Sequence, residues 1–133
     1  MRKKVYTDKG AAPAGPYSQG LVAKGKTIYV SGQGPADPAT GKYVEGGIEA
    51  QAAQVFKNIQ VILEEAGSSW ADALKVGVFL ADLADFAGMN ETYKTFLKEP
   101  YPCRTTVQVG LPKGMLIEVD CIARVPKKKK GKS

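Results

Sequence analysis

Two segments of the chain repeat apolar residues at the spacing of an α-helix. In the first, Ile48 to Ala66, one stripe is formed by Ile48, Ala52, Val55, Phe56, Ile59, Ile62, Leu63 and Ala66. Gly67 follows at the position of a C-cap. The second runs from about Leu83 to Lys98 and directs Phe86, Met89, Tyr93, Phe96 and Leu97 inward. Pro100 and Pro102 prevent its continuation, so the pattern predicts two amphipathic helices.

Other segments alternate apolar and polar residues, as half-buried strands do. They are Lys4–Tyr6, two arms of a hairpin within Gly20–Ser31 around the Lys24-Gly25-Lys26 turn, Ala73–Leu80, Pro102–Val109 and Met115–Val125. Early strands followed by the order β-α-β-α-β-β predict an α+β fold, in which both helices pack on one face of a mixed sheet.

Two of these strands carry charged residues on one face each. Alternation groups Arg104, Thr106 and Gln108 on one strand and Glu118 and Asp120 on the other, and we expect the two strands to form a hairpin that brings these side chains together on one face. A permanent cation on a strand suits a carboxylate or phosphate ligand, and the alternative is a structural salt bridge. Because Leu116 and Ile122 make the same face partly apolar, we expect another subunit to cover it.

Composition limits the chemistry that is available. The 133 residues contain no histidine, which excludes Ser-His and Cys-His nucleophile pairs and metal sites built on histidine. Acid and base chemistry must then use carboxylates, tyrosine, lysine or water. The two cysteines, Cys103 and Cys121, lack metal-ligand spacing and are expected to be reduced, with a disulfide as the alternative.

Charge is concentrated at the C-terminus. The net charge is +6, and the lysines of the last seven residues supply five of those charges, which leaves the body near +1. We therefore expect one domain over residues 1–126 and a disordered, solubilising tail over residues 127–133, with nucleic-acid binding through Lys127 to Lys132 as the alternative. No apolar run is long enough to span a bilayer, and the expected location is the cytoplasm.

Four separated motifs resemble those of one known family. They are Gly15-Pro16-Tyr17-Ser18-Gln19, Tyr29-Val30-Ser31-Gly32-Gln33, Pro102-Cys103-Arg104-Thr105-Thr106-Val107 and Ile117-Glu118-Val119-Asp120-Cys121-Ile122-Ala123. Their order resembles the Rid family of reactive-intermediate imine deaminases, also called the YjgF family, from about Lys4 to Val125. The resemblance implies a chorismate-mutase-like fold and a homotrimer with three pockets between neighbouring subunits.

The resemblance also implies an activity. Archetypal members hydrolyse 2-iminobutanoate and 2-iminopropanoate, which arise when pyridoxal-phosphate-dependent dehydratases act on threonine or serine, to 2-oxo acids and ammonia. No metal or organic cofactor takes part.

Individual roles follow from the matched motifs. Arg104 matches the arginine that clamps the substrate carboxylate, and Tyr17 matches a pocket tyrosine. Asp120 aligns with a water-positioning glutamate and is one methylene shorter, which withdraws its carboxylate. Further substrate-binding positions are matched by Ser31, Gly32, Asn90 and Thr106, and Thr106 stands where some members carry cysteine. Packing, turn or capping roles are the alternatives for Tyr17, Gly32 and Asn90.

Two other functions stay open. An RNA-directed role, as ribonuclease or translation inhibitor, would use the lysine tail for phosphate attraction, although the chain lacks both a histidine for acid/base work and an aromatic-basic reading motif. A member without catalytic activity would hold a small carboxylate on Arg104, and the shorter Asp120 favours that alternative.

Overall fold

The computed structural model describes residues 2–127, within which six strands and two α-helices follow one another. Their bounds are β1 Arg2–Val5, β2 Gly20–Ala23, β3 Lys26–Gln33, α1 Ile48–Glu65, β4 Ala73–Leu80, α2 Phe86–Phe96, β5 Cys103–Gln108 and β6 Ile117–Val125. Single 3-10 turns, Trp70–Asp72 and Leu83–Asp85, precede β4 and α2.

The main sheet has the strand order β3-β6-β4-β5. Strands β4 and β5 run parallel, and β6 is antiparallel to both β3 and β4, so the sheet is mixed. Both helices pack on one face, over apolar side chains such as Val76, Val78, Val119 and Cys121. The predicted α+β fold is confirmed.

Two predicted hairpins are wrong. Strands β5 and β6 are not neighbours, because β4 lies between them. The physical reason is burial: Val76, Val78 and Leu80 of β4 have no exposed surface, as expected of a strand that is paired on both edges. Likewise β2 does not pair with β3; it pairs with β1 in a separate two-stranded ribbon, while β3 uses its edge for β6.

Element ends differ from the predictions by a few residues. The second helix begins at Phe86 and not at Leu83, because the Asp82 side chain accepts a hydrogen bond from the Ala84 N–H and caps a 3-10 turn. The end of α1 is as predicted, although the cap differs by one position: α1 ends at Glu65, Ala66 is the C-cap, and Gly67 follows it with φ +81°.

One aromatic cluster joins the two helices. The Phe56 ring of α1 lies 5.7 Å from the rings of Trp70 and Tyr93 and 5.4 Å from that of Phe96. The indole N–H of Trp70 donates to the Phe56 carbonyl at 3.2 Å. These contacts fix α2 against α1, and with it the face of α2 that meets β5.

The N-terminal ribbon is fastened to the start of β4 and to the segment that precedes β5. Arg2 donates from its guanidinium to the carbonyls of Ala73 (2.8 Å) and Pro100 (2.7 Å). Lys4 forms an ion pair with Glu99 at 3.4 Å. The ribbon and the loop that joins its two strands are therefore held beside β5.

Within residues 2–127 no helix is long and apolar enough to cross a membrane. Of the tail predicted for residues 127–133, only Lys127 is among the described residues.

Candidate active site around Arg104

The register of β5 decides where Arg104 points. Arg104 pairs with Val76 and Thr106 pairs with Val78 in the parallel β4–β5 ladder, and partners in a ladder project from the same face. Because Val76 and Val78 are buried beneath the helices, Arg104 and Thr106 also lie on the helix-packed face. The prediction that they share a face with Asp120 is wrong.

The Arg104 guanidinium is enclosed by one amide and three rings. Its Nη1 donates to Oδ1 of Asn90 on α2 at 2.7 Å. Its central carbon lies 4.8 Å from the ring centroid of Tyr93, 5.6 Å from Phe86 and 5.9 Å from Tyr17. At such distances the rings attract the cation and fix its orientation.

Tyr17 reaches this site because its neighbour is tied to the segment before β5. The Ser18 N–H donates to the Pro102 carbonyl at 3.0 Å, and the Ser18 hydroxyl donates to the Tyr101 carbonyl. The Tyr17 hydroxyl accepts a hydrogen bond from the Ala14 N–H at 3.2 Å. The loop thus places a phenol ring against Arg104.

Arg104 has hydrogen-bonding capacity left over. A guanidinium has five N–H donors, and among the described residues only Asn90 accepts one of them. No carboxylate of the described residues lies within 4 Å, so the alternative of a structural salt bridge finds no partner there. Burial lowers the pKa of Arg104, and Tyr93 and Tyr17 oppose that shift; the group stays a cation near neutral pH.

A cleft of about 290 Å³ opens at this guanidinium, lined by Tyr17, Phe86, Arg104 and Thr106. Such a volume lies at the low end for ligand pockets and suits a small molecule. The Thr106 hydroxyl is buried and has no hydrogen-bond partner among the described residues. Four predicted site residues, Arg104, Tyr17, Asn90 and Thr106, are therefore brought together.

The other three predicted residues lie elsewhere in the protomer. Asp120 pairs with Gly77 on the helix-free face, which is called the open face below. Gly32 adjoins the Glu118 carboxylate on the same face, and with Ser31 it lies in the irregular part of β3, at the opposite edge of the sheet from β5. Within one protomer, the predicted site residues therefore form two separate groups, one at Arg104 and one at Asp120.

Other proteins share the sequence motifs and the fold of this chain. A family model described as Endoribonuclease L-PSP, that of the YjgF/RidA proteins, matches residues 7–125. The chain belongs to the Rid family. A RutC family protein of Pyrococcus abyssi is 48% identical over 123 residues, covering 92% of this chain and 96% of that protein.

Two further relatives show the range of the family. A protein of Rattus norvegicus named 2-iminobutanoate/2-iminopropanoate deaminase is 44% identical over 124 residues, covering 92% of this chain and 90% of that protein. The crystal structure of RidA from an Antarctic Psychrobacter is 48% identical, with a TM-score of 0.72 and coverage of 92% and 99%. The Rid fold and a family that contains imine deaminases are therefore shown for this chain.

Two residues of the site were not predicted as site residues. Phe86 and Tyr93 flank the guanidinium, although the helical pattern assigned both to the core. With Asn90 they stand at positions i, i+4 and i+7 of α2, which share one face. That spacing was the available signal, because one asparagine on an otherwise apolar stripe needs a polar partner.

The cysteines take no visible part in this site. Both are free, as predicted, with Cys121 buried and Cys103 half-buried. Burial, with a smaller contribution from the nearby Asp120 carboxylate, raises the pKa of Cys121 to about 12. The Cys121 thiol is therefore protonated at neutral pH and unreactive.

Proposed function

We propose that this Rid protein hydrolyses small 2-imino acids, namely 2-iminobutanoate and 2-iminopropanoate, to 2-oxo acids and ammonia. The observation that carries the proposal is Arg104: a half-buried cation, oriented by one amide and three rings, with free N–H donors and no carboxylate partner among residues 2–127. The relatives named as deaminases of these two substrates support it.

Substrate binding begins at the carboxylate. A planar guanidinium holds a carboxylate with two parallel hydrogen bonds, which fixes both its position and its plane. Asn90 and the ring of Tyr93 hold Arg104 before the ligand arrives, so little ordering is needed on binding. The apolar edge of Phe86 can then contact the short side chain of the substrate.

The catalytic carboxylate is proposed to come from a neighbouring subunit. On the open face Phe79 and Ile122 are half-buried and Tyr29 is 73% exposed. Together these side chains form an exposed apolar patch of the kind that marks a protein–protein interface. In a homotrimer, Asp120 of the partner subunit, with its Ser31 and Gly32, would complete the cleft at Arg104. The separation of the two groups within one protomer is then a consequence of assembly.

The chemistry needs orientation and modest polarisation. Asp120 of the partner subunit accepts a hydrogen bond from a water whose oxygen adds to the iminium carbon, and the water loses a proton. The resulting carbinolamine takes a proton on nitrogen, the C–N bond breaks, and the hydroxyl loses its proton to give the 2-oxo acid and ammonia. Because imines hydrolyse unaided, the main contribution of the protein is to hold the water next to the iminium carbon, and the reaction needs no cofactor.

The test is a competition assay coupled to a dehydratase. Threonine or serine is dehydrated with semicarbazide present, and semicarbazone formation is followed with and without this protein. Wild type should suppress semicarbazone formation, and Arg104→Ala should not. If wild type binds the small carboxylate and leaves semicarbazone formation unchanged, the alternative of binding without catalysis replaces this proposal.

One observation favours a second candidate, nucleic-acid binding. A cavity of about 680 Å³ is lined by Lys24, Lys26, Arg124 and Lys127, and every charged residue in its lining is a cation. Such a surface attracts phosphates in a salt-dependent manner. Deleting residues 127–133 should weaken RNA binding in a fluorescence anisotropy titration and leave imine hydrolysis unchanged, if the two functions are separate.

A further inference from the structure

Gly77 occupies a position on the open face where a larger residue would displace the Asp120 side chain. It lies opposite Asp120 in the β4–β6 ladder. A Cβ at position 77 would stand 2.3 Å from Oδ1 and 3.2 Å from Cγ of Asp120, and real Cβ atoms essentially never show a contact below 3.0 Å. The Asp120 carboxylate therefore fills the space that any other side chain at position 77 would need.

Conformation does not explain this glycine. Gly77 lies inside β4, and its φ is not among the positive values that favour glycine. A glycine within a strand lowers stability, because it has more freedom to lose on folding and no side chain to pack. What distinguishes Gly77 is the free space above its Cα, which the Asp120 carboxylate occupies.

No hydrogen bond or ion pair within residues 2–127 sets the orientation of the Asp120 side chain. Its carboxylate accepts no hydrogen bond and forms no ion pair with any of residues 2–127. Gly77 and Asp120 line a shallow surface pocket together with one cation, Lys75. Lys75 forms no ion pair with the carboxylate; it donates to the Thr105 hydroxyl at 2.7 Å. The absence of a side chain at Gly77 is therefore the feature of this sheet surface that leaves room for the Asp120 carboxylate.

We propose that Gly77 is a positioning residue for the catalytic step: by lacking a side chain it lets the short Asp120 carboxylate lie back on the sheet, in the orientation from which it directs the attacking water. The inference rests on the proposed function, in which Asp120 faces the Arg104 cleft of the partner subunit. It assigns to β4 a part in the chemistry that the motifs of the sequence do not indicate.

The first test is Gly77→Ala in the competition assay. To reach the 3.4 Å of ordinary contact, Oδ1 must move by about 1 Å, and a misplacement of that size can cost on the order of 100-fold in rate. We expect kcat to fall at least tenfold, with KM nearly unchanged, because Arg104 holds the substrate. Gly110→Ala is the matched control, since its Cβ would meet no atom within 4 Å, and it should keep wild-type activity.

A second test does not depend on activity. The urea midpoint is measured for wild type, Gly77→Ala, Asp120→Ala and the double variant. Gly77→Ala should lower the midpoint in the wild-type background and have no comparable effect when Asp120 is already alanine. A new Cβ would also stand 3.2 Å from the Phe79 ring, but that contact is present in both backgrounds and cancels.

The two tests separate the inference from the proposed function. If wild type fails to hydrolyse imines, the function is wrong, and coupling in the urea experiment still shows that Gly77 places Asp120 while its catalytic meaning is withdrawn. If wild type is active and Gly77→Ala keeps full kcat, the positioning role is overturned. Equal midpoint shifts in both backgrounds would overturn the steric pairing itself.

Discussion

Arg104 and Asp120 are both half-buried, charged residues on strands of one sheet, yet the protein holds them in different ways. On the helix-packed face, Arg104 has an amide acceptor at 2.7 Å and three aromatic rings around it. On the open face, Asp120 and Glu118 each lie over a glycine, Gly77 and Gly32, and accept no hydrogen bond from the described residues.

That difference follows from what each face packs against. A cation withdrawn from water needs compensation, and α2 supplies it through Asn90 and Tyr93 within the same chain. No element within residues 2–127 covers the carboxylates of the open face, so their hydrogen-bonding capacity stays available to another molecule. Under the proposed function, the comparison means that folding alone builds the binding half of the site, whereas the catalytic half would be added by assembly.

A large effect is expected from a substitution at Arg104 that keeps the positive charge and removes the planar shape of the guanidinium. Arg104→Lys should lower kcat/KM for imine hydrolysis by roughly 100-fold, because an ammonium cannot form two parallel hydrogen bonds with a carboxylate. The measurement is steady-state kinetics of semicarbazone suppression. Near-wild-type kinetics would mean that charge alone suffices and that the planar enclosure by Asn90 and the rings has no catalytic role.

Mixing subunits tests whether the two halves belong to different chains. Arg104→Ala and Asp120→Ala proteins should each be inactive, since each lacks one half of every site. When equal amounts are unfolded together and refolded, about a quarter of the sites in random trimers should be intact, and activity should return to that fraction. Mixing the two without unfolding is the control, and absence of recovery after refolding would place both halves in one protomer.

A smaller effect is expected when the amide beside Arg104 becomes a carboxylate. Asn90→Asp keeps the shape of the side chain but puts a negative charge 2.7 Å from Nη1 of Arg104, where it competes with the substrate carboxylate. We expect KM to rise about tenfold with a smaller change in kcat. Asn90→Ala, which removes the acceptor without adding charge, should raise KM less, and the reverse ranking would contradict the model of an unpaired cation.

The smallest expected effect concerns the thiol behind the open face. In a Cys103→Ser variant the remaining thiol, Cys121, is 2% exposed and its pKa is raised to about 12 by burial. Because the folded pKa is raised, the thiolate is scarce at pH 8, and an alkylating reagent should label the native protein hardly at all. Labelling should become complete in denaturant; rapid native labelling would show that β6 opens readily.

Much of the fold was predictable from periodicity. The stripe of α1 and the alternation of β6, with Val119 and Cys121 inward and Asp120 outward, depend only on the geometry of helices and strands. The motif of Arg104 was equally visible. What periodicity could not supply was the order of the strands, because alternation in β5 is the same whichever strand lies beside it. Placing β5 next to β6 moved Arg104 to the wrong face.

By itself, then, the sequence determined which residues face inward on α1 and β6, where α1 ends, and which residue types are available for chemistry, since a chain without histidine has few ways to move a proton. Only the tertiary structure decided that β4 separates Arg104 from Asp120, that α2 lays Asn90 and Tyr93 on the guanidinium, and that Gly77 makes room for a carboxylate. The reason is separation along the chain. A local pattern of apolar and polar residues indicates whether each residue is buried, whereas a site depends on contacts between residues far apart in the chain.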